Sequence, residues 1–238
     1  MTIDTKGIGY REINNLLRCA DSEIKLTSCM GQRFIGAGIS DKSIEIEGIP
    51  GNALGAYLNG ATITVNGNVQ DAVGDTMNSG EIIIRGNAGD AVGYAMRGGK
   101  IFIKGNAGYR AGIHMKAFKD KTPVMVIGGT AGSFLGEYQA GGIIIVLGLG
   151  ADGRKTGYFP CTGMHGGKMF IKGNCSGIDF PAGVDVKEAS SADIEEIKPY
   201  LLEYCSRFEY NEDELLTASY SLITPDSKNP YKQMYVAN

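Results

Sequence analysis

Between Gly67 and Lys116 the sequence repeats itself: GNVQDAVGDTMNSGEIIIR is followed by GNAGDAVGYAMRGGKIFIK and then by GNAGYRAGIHMK. The units open at Gly67, Gly86 and Gly105, 19 residues apart, and each carries a second glycine seven residues in, at Gly74, Gly93 and Gly112. A fixed period of about 20 residues marks a stacked-repeat architecture, in which no unit can bury its own apolar face and its neighbours do so for it. The phase extends beyond the evident copies. Backward it meets Gly48 and Cys29, with Gly55 and Gly36 at the second-glycine offset. Forward it meets Gly129, Gly148 and Gly173, after insertions in KAFKDKTP and ADGRKTGYFPCTG. The count is about seven rungs and the start of an eighth.

The strand closing each unit shows where the core lies. Four residues before each opening glycine stand Ile44, Ile63, Ile82, Ile101, Met125, Ile144 and Met169; two before stand Ile46, Val65, Ile84, Ile103, Ile127, Val146 and Ile171. Side chains two apart on a strand share a face, so both columns point inward. A third inner column sits ten residues after the glycine at Ile39, Leu58, Met77, Met96 and Met115, with Met164 in phase. The expected fold is mainly β: a single-stranded parallel β-helix, with coils about 4.8 Å apart. Glycines at offsets zero and seven suit corners that need positive φ or close approach. Asn68, Asn87, Asn106 and Asn174 share one phase; they either stack as an amide ladder or simply favour turns.

The outward column, three before each glycine, changes along the chain. It reads Glu45 and Thr64, then Ile83, Phe102, Val126, Ile145 and Phe170. Such an apolar stripe must be covered, either by the chain's own C-terminal segment or by a partner subunit. Those five residues are the expected partner-docking positions, together with the inserted loops 116–122 and 150–163.

The segments flanking the repeat read differently. Residues 1–28 form an N-terminal cap, with Ile13, Leu16 and Leu17 at helical spacing and a strand over Glu23–Thr27. Such a cap covers the first rung's strand edge and core. The β-helix occupies 29–180. In 181–238, Ser190 to Asp193 resembles a capping box ahead of a helix in which Pro199 either introduces a kink or opens a second helix. Another short helix follows Asn211, and the end reads as two extended pieces in which Leu222, Tyr231 and Tyr235 can lie along the stripe.

Candidate chemistry is sparse. Five scattered cysteines without a CxxC pair argue against a zinc site, an iron–sulfur cluster or a disulfide framework, and suit free thiols in a reducing, cytoplasmic setting. The net charge of −3 gives no footprint for nucleic acid or an anionic membrane. No apolar run is long enough to span a bilayer, and no signal peptide opens the sequence. Gly148–Gly153 matches GxGxxG, but Gly157 and Pro160 exclude the helix that a dinucleotide site requires. Cys161 and His165 are four apart without a third ligand or an oxyanion donor, which favours turn or packing roles. Asp71 and Asp90 share one repeat offset and read as a solvated column rather than an acid–base pair. No catalytic, cofactor or metal residue is assigned.

The glycine columns in MGQRFIGAGI, GNALGAYLNG and GTAGSFLGEYQAGGIIIVLG, with the central repeats, resemble the GXGXG domain at the C-terminal end of the glutamate synthase large chain. They are also similar to the repeat found in one of the subunits of formylmethanofuran dehydrogenase. The resemblance implies a right-handed parallel β-helix without catalytic residues, linking a glutamine amidotransferase to an FMN-containing synthase. The chain is similar to the stand-alone form of that domain. Met1 is followed by Thr2 rather than by the amidotransferase's cysteine nucleophile. The implied function is a structural subunit in glutamine-dependent reductive amination of 2-oxoglutarate, with FMN and iron–sulfur centres on partner subunits. The alternatives are a subunit of a formylmethanofuran-dehydrogenase-like complex, a self-associating homo-oligomer, and a polysaccharide-active β-helix enzyme. The last would need carboxylates and aromatic platforms in a groove, which the sequence does not display.

Overall fold

The computed structural model describes residues 1–226. Its strands are β1 (Thr2–Asp4), β2 (Glu23–Met30), β3 (Ser43–Ile49), β4 (Asn59–Val65), β5 (Ser79–Ile84), β6 (Lys100–Ile103), β7 (Val124–Ile127), β8 (Ala140–Val146), β9 (Gly166–Lys172), β10 (Val184–Glu188) and β11 (Tyr220–Pro225). The helices are α1 (Tyr10–Cys19), α2 (Ser191–Phe208) and α3 (Glu212–Leu216). Strands β1 to β9 pair in parallel, each with the next, in one 11-stranded sheet. The register follows the period: Ile44 pairs with Ile63, Ile63 with Ile82, and Ile82 with Ile101. The chain is therefore a parallel β-solenoid of about eight turns, in line with the expected seven rungs and the start of an eighth. Both strand columns are buried in every rung, as is the column from Ile39 to Met115. At that inner position the coil opened by Gly129 carries Gln139, fully buried, whose amide donates to the carbonyls of Gly141 and Gly142 at 3.3 and 3.2 Å.

The two glycine columns serve different physical needs. Offset-seven glycines lie at φ of +64 to +73°, at Gly36, Gly55, Gly74, Gly93, Gly112 and Gly136. A Cβ on Gly74 would also stand 2.6 Å from Ile101 Cδ1 of a later strand. Offset-zero glycines such as Gly86 and Gly105 are not left-handed; they leave room for the asparagine of the coil below. That asparagine forms the ladder: Asn68, Asn87 and Asn106 each accept the next coil's backbone N–H at 2.8 Å, from Asn87, Asn106 and Thr130. Asp71 and Asp90 do the same for the N–H groups of Asp90 and Tyr109, at 2.9 and 2.8 Å. These side chains staple coil to coil.

Each solenoid end is closed by a specific device. Inside the stack, the offset-seven N–H donates to the preceding coil, as Gly55 does to Ile35 and Gly74 to Leu54. Gly36, in the first coil, has no such neighbour. Asn14 of α1, only 5% exposed, substitutes for it: its Oδ1 accepts from Gly36 N–H and its Nδ2 donates to Phe34 O, both at 2.9 Å. The cap thus supplies the hydrogen bonds of a missing coil. At the other end β11 pairs antiparallel with β9, and β10 pairs antiparallel with β11. β10 was not expected from the sequence. Helix α2 runs unbroken through Pro199 as one helix, opened by the Ser190–Asp193 capping box. Tyr231 and Tyr235 lie outside the described residues.

Candidate docking surface

The outward apolar stripe is covered by the chain itself. Ile83 is 5% exposed, and Phe102, Val126, Ile145 and Phe170 are fully buried. They form a second core with Ile197, Leu201, Tyr204, Cys205 and Phe208 of α2, Leu215 of α3, and Tyr220 and Leu222 of β11. The partner-docking role expected for these five residues is corrected accordingly, since the C-terminal segment occupies the surface a partner would need. The charges bordering the stripe hold that segment in register. Five residues before the unit glycines stand Glu81, Lys100 and Lys168, and they pair with Arg207 at 2.8 Å, Glu203 at 2.5 Å and Glu196 at 2.5 Å. Successive contacts walk back along α2 as the strands advance, so the helix crosses the sheet along the solenoid axis. The Arg207–Glu81 pair is half-shielded, with Glu81 buried.

The candidate chemical residues have packing roles. Cys161 occupies the offset-seven glycine position of the last full coil, at φ 61° and fully buried. In earlier coils a Cβ there would strike a strand residue further along, as Gly136 would meet Met169 Cε. Among the described residues no later parallel coil follows that of Cys161, so a side chain fits, with Sγ 3.7 Å from Met169 Sδ. Burial pushes its thiol well above the ordinary cysteine range, which keeps it protonated and unreactive. His165 Nδ1 lies 3.0 Å from the Gly163 carbonyl. The GxGxxG stretch is a turn, with Gly148 and Gly150 at positive φ, and Lys155 folds over Gly148 to meet the Lys172 carbonyl. Among the described residues no cluster of His, Cys, Asp or Glu could hold a metal ion.

The face that remains open lies on the turn side of the coils. His114 and Tyr138 occupy the same offset in successive coils and stack at 5.2 Å with planes 9° apart, while Tyr94 meets His114 edge-on. The ring of Tyr138 lies over Gly163, where any Cβ would collide with it. Beside this stack runs a second row. The Arg110 guanidinium sits 4.7 Å over Phe134, Phe134 packs on Phe159, Phe159 touches Tyr158, and Arg154 lies 4.7 Å over Tyr158. Arg110 links the rows through a 2.9 Å pair with Glu137. Tyr158 and Phe159 are 61% and 59% exposed.

The backbone beneath these side chains is unusual. Arg110, His114, Phe134, Tyr138 and Phe159 all have φ between 53 and 60°. Left-handed backbone costs a non-glycine residue about 1–2 kcal/mol, and bulky residues are rare there. Earlier coils fill the same offsets mostly with small residues, Gly38, Ala53, Ala72, Thr76, Ala91 and Ala95, with Phe34 and Tyr57 as the two bulky exceptions. The later coils thus place large, exposed aromatic and arginine side chains at strained positions where packing does not require them. Aromatic residues and arginine are the types enriched at the centres of protein interfaces. The repeat period conceals this face, because its rings sit at offsets whose neighbouring coils carry alanine. The signal available in the sequence was the change from Ala72, Thr76, Ala91 and Ala95 in the central coils to Arg110, His114, Phe134 and Tyr138 in the next two, at two fixed offsets.

The family model for the GXGXG motif matches residues 5–227. The chain belongs to the GXGXG motif family. A relative, the uncharacterized protein MJ1350 of Methanocaldococcus jannaschii, is 47% identical over 251 residues, covering 99% of this chain and 96% of that one. Among solved structures, the GXGXG chain is similar to a chain of the formyltransferase/hydrolase complex (FhcABCD) of Methylorubrum extorquens in complex with methylofuran. The TM-score is 0.65 at 20% identity, over 91% of this chain and 84% of that one. That likeness extends to the fold. No helix among the described residues is long and apolar enough to cross a membrane.

Proposed function

We propose that this chain is a non-catalytic linking subunit of a cytoplasmic, multi-subunit oxidoreductase-type complex of the glutamate synthase kind, and that it binds its neighbours through the turn-side aromatic–arginine face. The observation that carries this reading is the set of rings at His114, Phe134, Tyr138 and Phe159, with the Arg110 guanidinium, held at strained backbone positions. In this reading the partners are a glutamine amidotransferase and an FMN-containing synthase, and the FMN and iron–sulfur centres belong to them. Membership of the GXGXG family supports it. A second reading, a subunit of a formylmethanofuran-dehydrogenase-like complex, is favoured by the fold's likeness to a chain of the formyltransferase/hydrolase complex. A polysaccharide-binding role gains aromatic platforms from this face, but Asp71 and Asp90 are committed to backbone N–H groups.

The test is affinity purification of the tagged chain from its native host, beside the double variant Tyr138→Ala, Phe159→Ala. The wild type should bring down amidotransferase and flavin-containing subunits, with flavin absorbance in the eluate, and the variant should lose them while keeping its circular dichroism. Recovery of formyltransferase and hydrolase subunits selects the second reading. A wild-type chain that elutes alone rejects both. A variant that retains its partners unchanged rejects the assignment of this face.

A further inference from the structure

Among the described residues strand β10 is the last strand of the sheet, and no strand pairs with its outer edge. Asp185, Val186, Lys187 and Glu188 are all exposed. Its partner β11 takes only half of its backbone groups. Gly183 O accepts from Asp226 N–H and Ala189 N–H donates to Tyr220 O, in a register that pairs Val184 with Pro225 and Glu188 with Ser221. Antiparallel ladders alternate hydrogen-bonded and non-hydrogen-bonded pairs. The odd-numbered residues 183 to 189 therefore face β11, and Val184, Val186 and Glu188 turn their N–H and C=O groups outward. Among the described residues none of the loop or turn backbone hydrogen bonds takes them up.

The sequence of this edge, VDVKE, is self-complementary about Val186. If a second copy adds antiparallel with Val186 opposite its own counterpart, Val184 faces Glu188 of the copy, and these are the positions whose backbone groups point outward. Asp185 then faces Lys187 of the copy, and Lys187 faces its Asp185. Those two pairs fall at non-hydrogen-bonded sites, where opposed side chains approach most closely. Charges on an edge strand commonly serve to keep other strands away. An edge with only that duty needs no opposite charges placed symmetrically about its centre, and a two-fold interface does.

We propose that β10 is a homodimerisation edge, joining two copies tail to tail through an antiparallel β10–β10 ladder centred on Val186. Two solenoid sheets then form one continuous sheet, and the outward groups of Val184, Val186 and Glu188 are satisfied on both chains. This stands independently of the aromatic face, which lies on the turn side and stays open in the dimer.

The test is sedimentation velocity on the purified full chain, across a dilution series into the high-micromolar range. The wild type should sediment as a concentration-dependent dimer. Asp185→Lys converts both cross-strand attractions into repulsions and should raise the dissociation constant about tenfold or more. The double exchange Asp185→Lys, Lys187→Asp restores the complementarity and should restore the dimer. Val186→Pro removes an outward N–H that β11 does not use, so it should abolish the dimer and leave thermal unfolding of the monomer nearly unchanged. A wild type that stays monomeric throughout overturns the proposal. So does a dimer indifferent to all three variants, or one dissolved instead by Tyr138→Ala.

Discussion

Replacing Gly74 by alanine separates the two reasons for the offset-seven glycine. Gly74 has φ 69°, and an added Cβ would lie 2.6 Å from Ile101 Cδ1. The left-handed backbone should cost about 1–2 kcal/mol, and the forced contact a further 1–3 kcal/mol or so, as other overpacked cores do. Gly38 is the control. Its φ is similar, 67°, but nothing lies within 4 Å of its Cβ position, so Gly38→Ala should cost the backbone term alone. Ile101→Val removes the offending Cδ1 and by itself should cost about 0.5–1.5 kcal/mol. In the double variant Gly74→Ala, Ile101→Val the steric term should largely vanish, giving a favourable coupling of about 1–3 kcal/mol. The assay is urea unfolding of the four variants and the wild type, followed by circular dichroism. In thermal scans each kcal/mol should appear as about 2–4 °C for a chain of this size. The reasoning fails if Gly74→Ala costs no more than Gly38→Ala, or if Ile101→Val returns none of the loss.

Three further outcomes follow from other parts of the molecule. Asn87→Ala removes the acceptor for Asn106 N–H and should cost about 0.5–1.5 kcal/mol, with faster hydrogen exchange at the Asn106 amide than at its neighbours. Alkylation with iodoacetamide near pH 8 should label exposed Cys19 quickly and leave buried Cys161 untouched until the chain is unfolded; equal labelling rates would refute its inward position. The Asp193 carboxyl is held below its ordinary 3.8 first by the Ser190 hydroxyl and then by the Ser190 backbone N–H. A depressed carboxylate stabilises the fold above its unfolded value and loses that contribution as pH falls through the folded one. Asp193→Asn should therefore flatten the acid limb of stability below about pH 4, and an unchanged limb counts against the capping box.

Repetition made the solenoid legible in the sequence. A 19-residue period and two inner columns that stay apolar in every rung leave a stacked coil as the arrangement able to bury them, and β3 to β9 fall where those columns place them. The sequence could not decide which need each glycine meets. Gly86 and Gly74 look alike in one dimension, yet one yields space to Asn68 and the other adopts a left-handed backbone. Asn14 was equally hidden, because its work depends on a coil that is missing beneath Gly36. The strip from Ile83 to Phe170 announced that something must cover it. Whether the cover was the chain's own helix or another molecule depended on the pitch of α2, whose charges at Glu196, Glu203 and Arg207 meet Lys168, Lys100 and Glu81 across the coils. Local pattern thus settled what must be buried, since burial repeats with the backbone period. Tertiary structure alone decided what remains exposed among the described residues, because the open face with Arg110, His114, Tyr138 and Phe159, and the outer edge of β10, exist only once the coils have stacked and the C-terminal segment has taken its place.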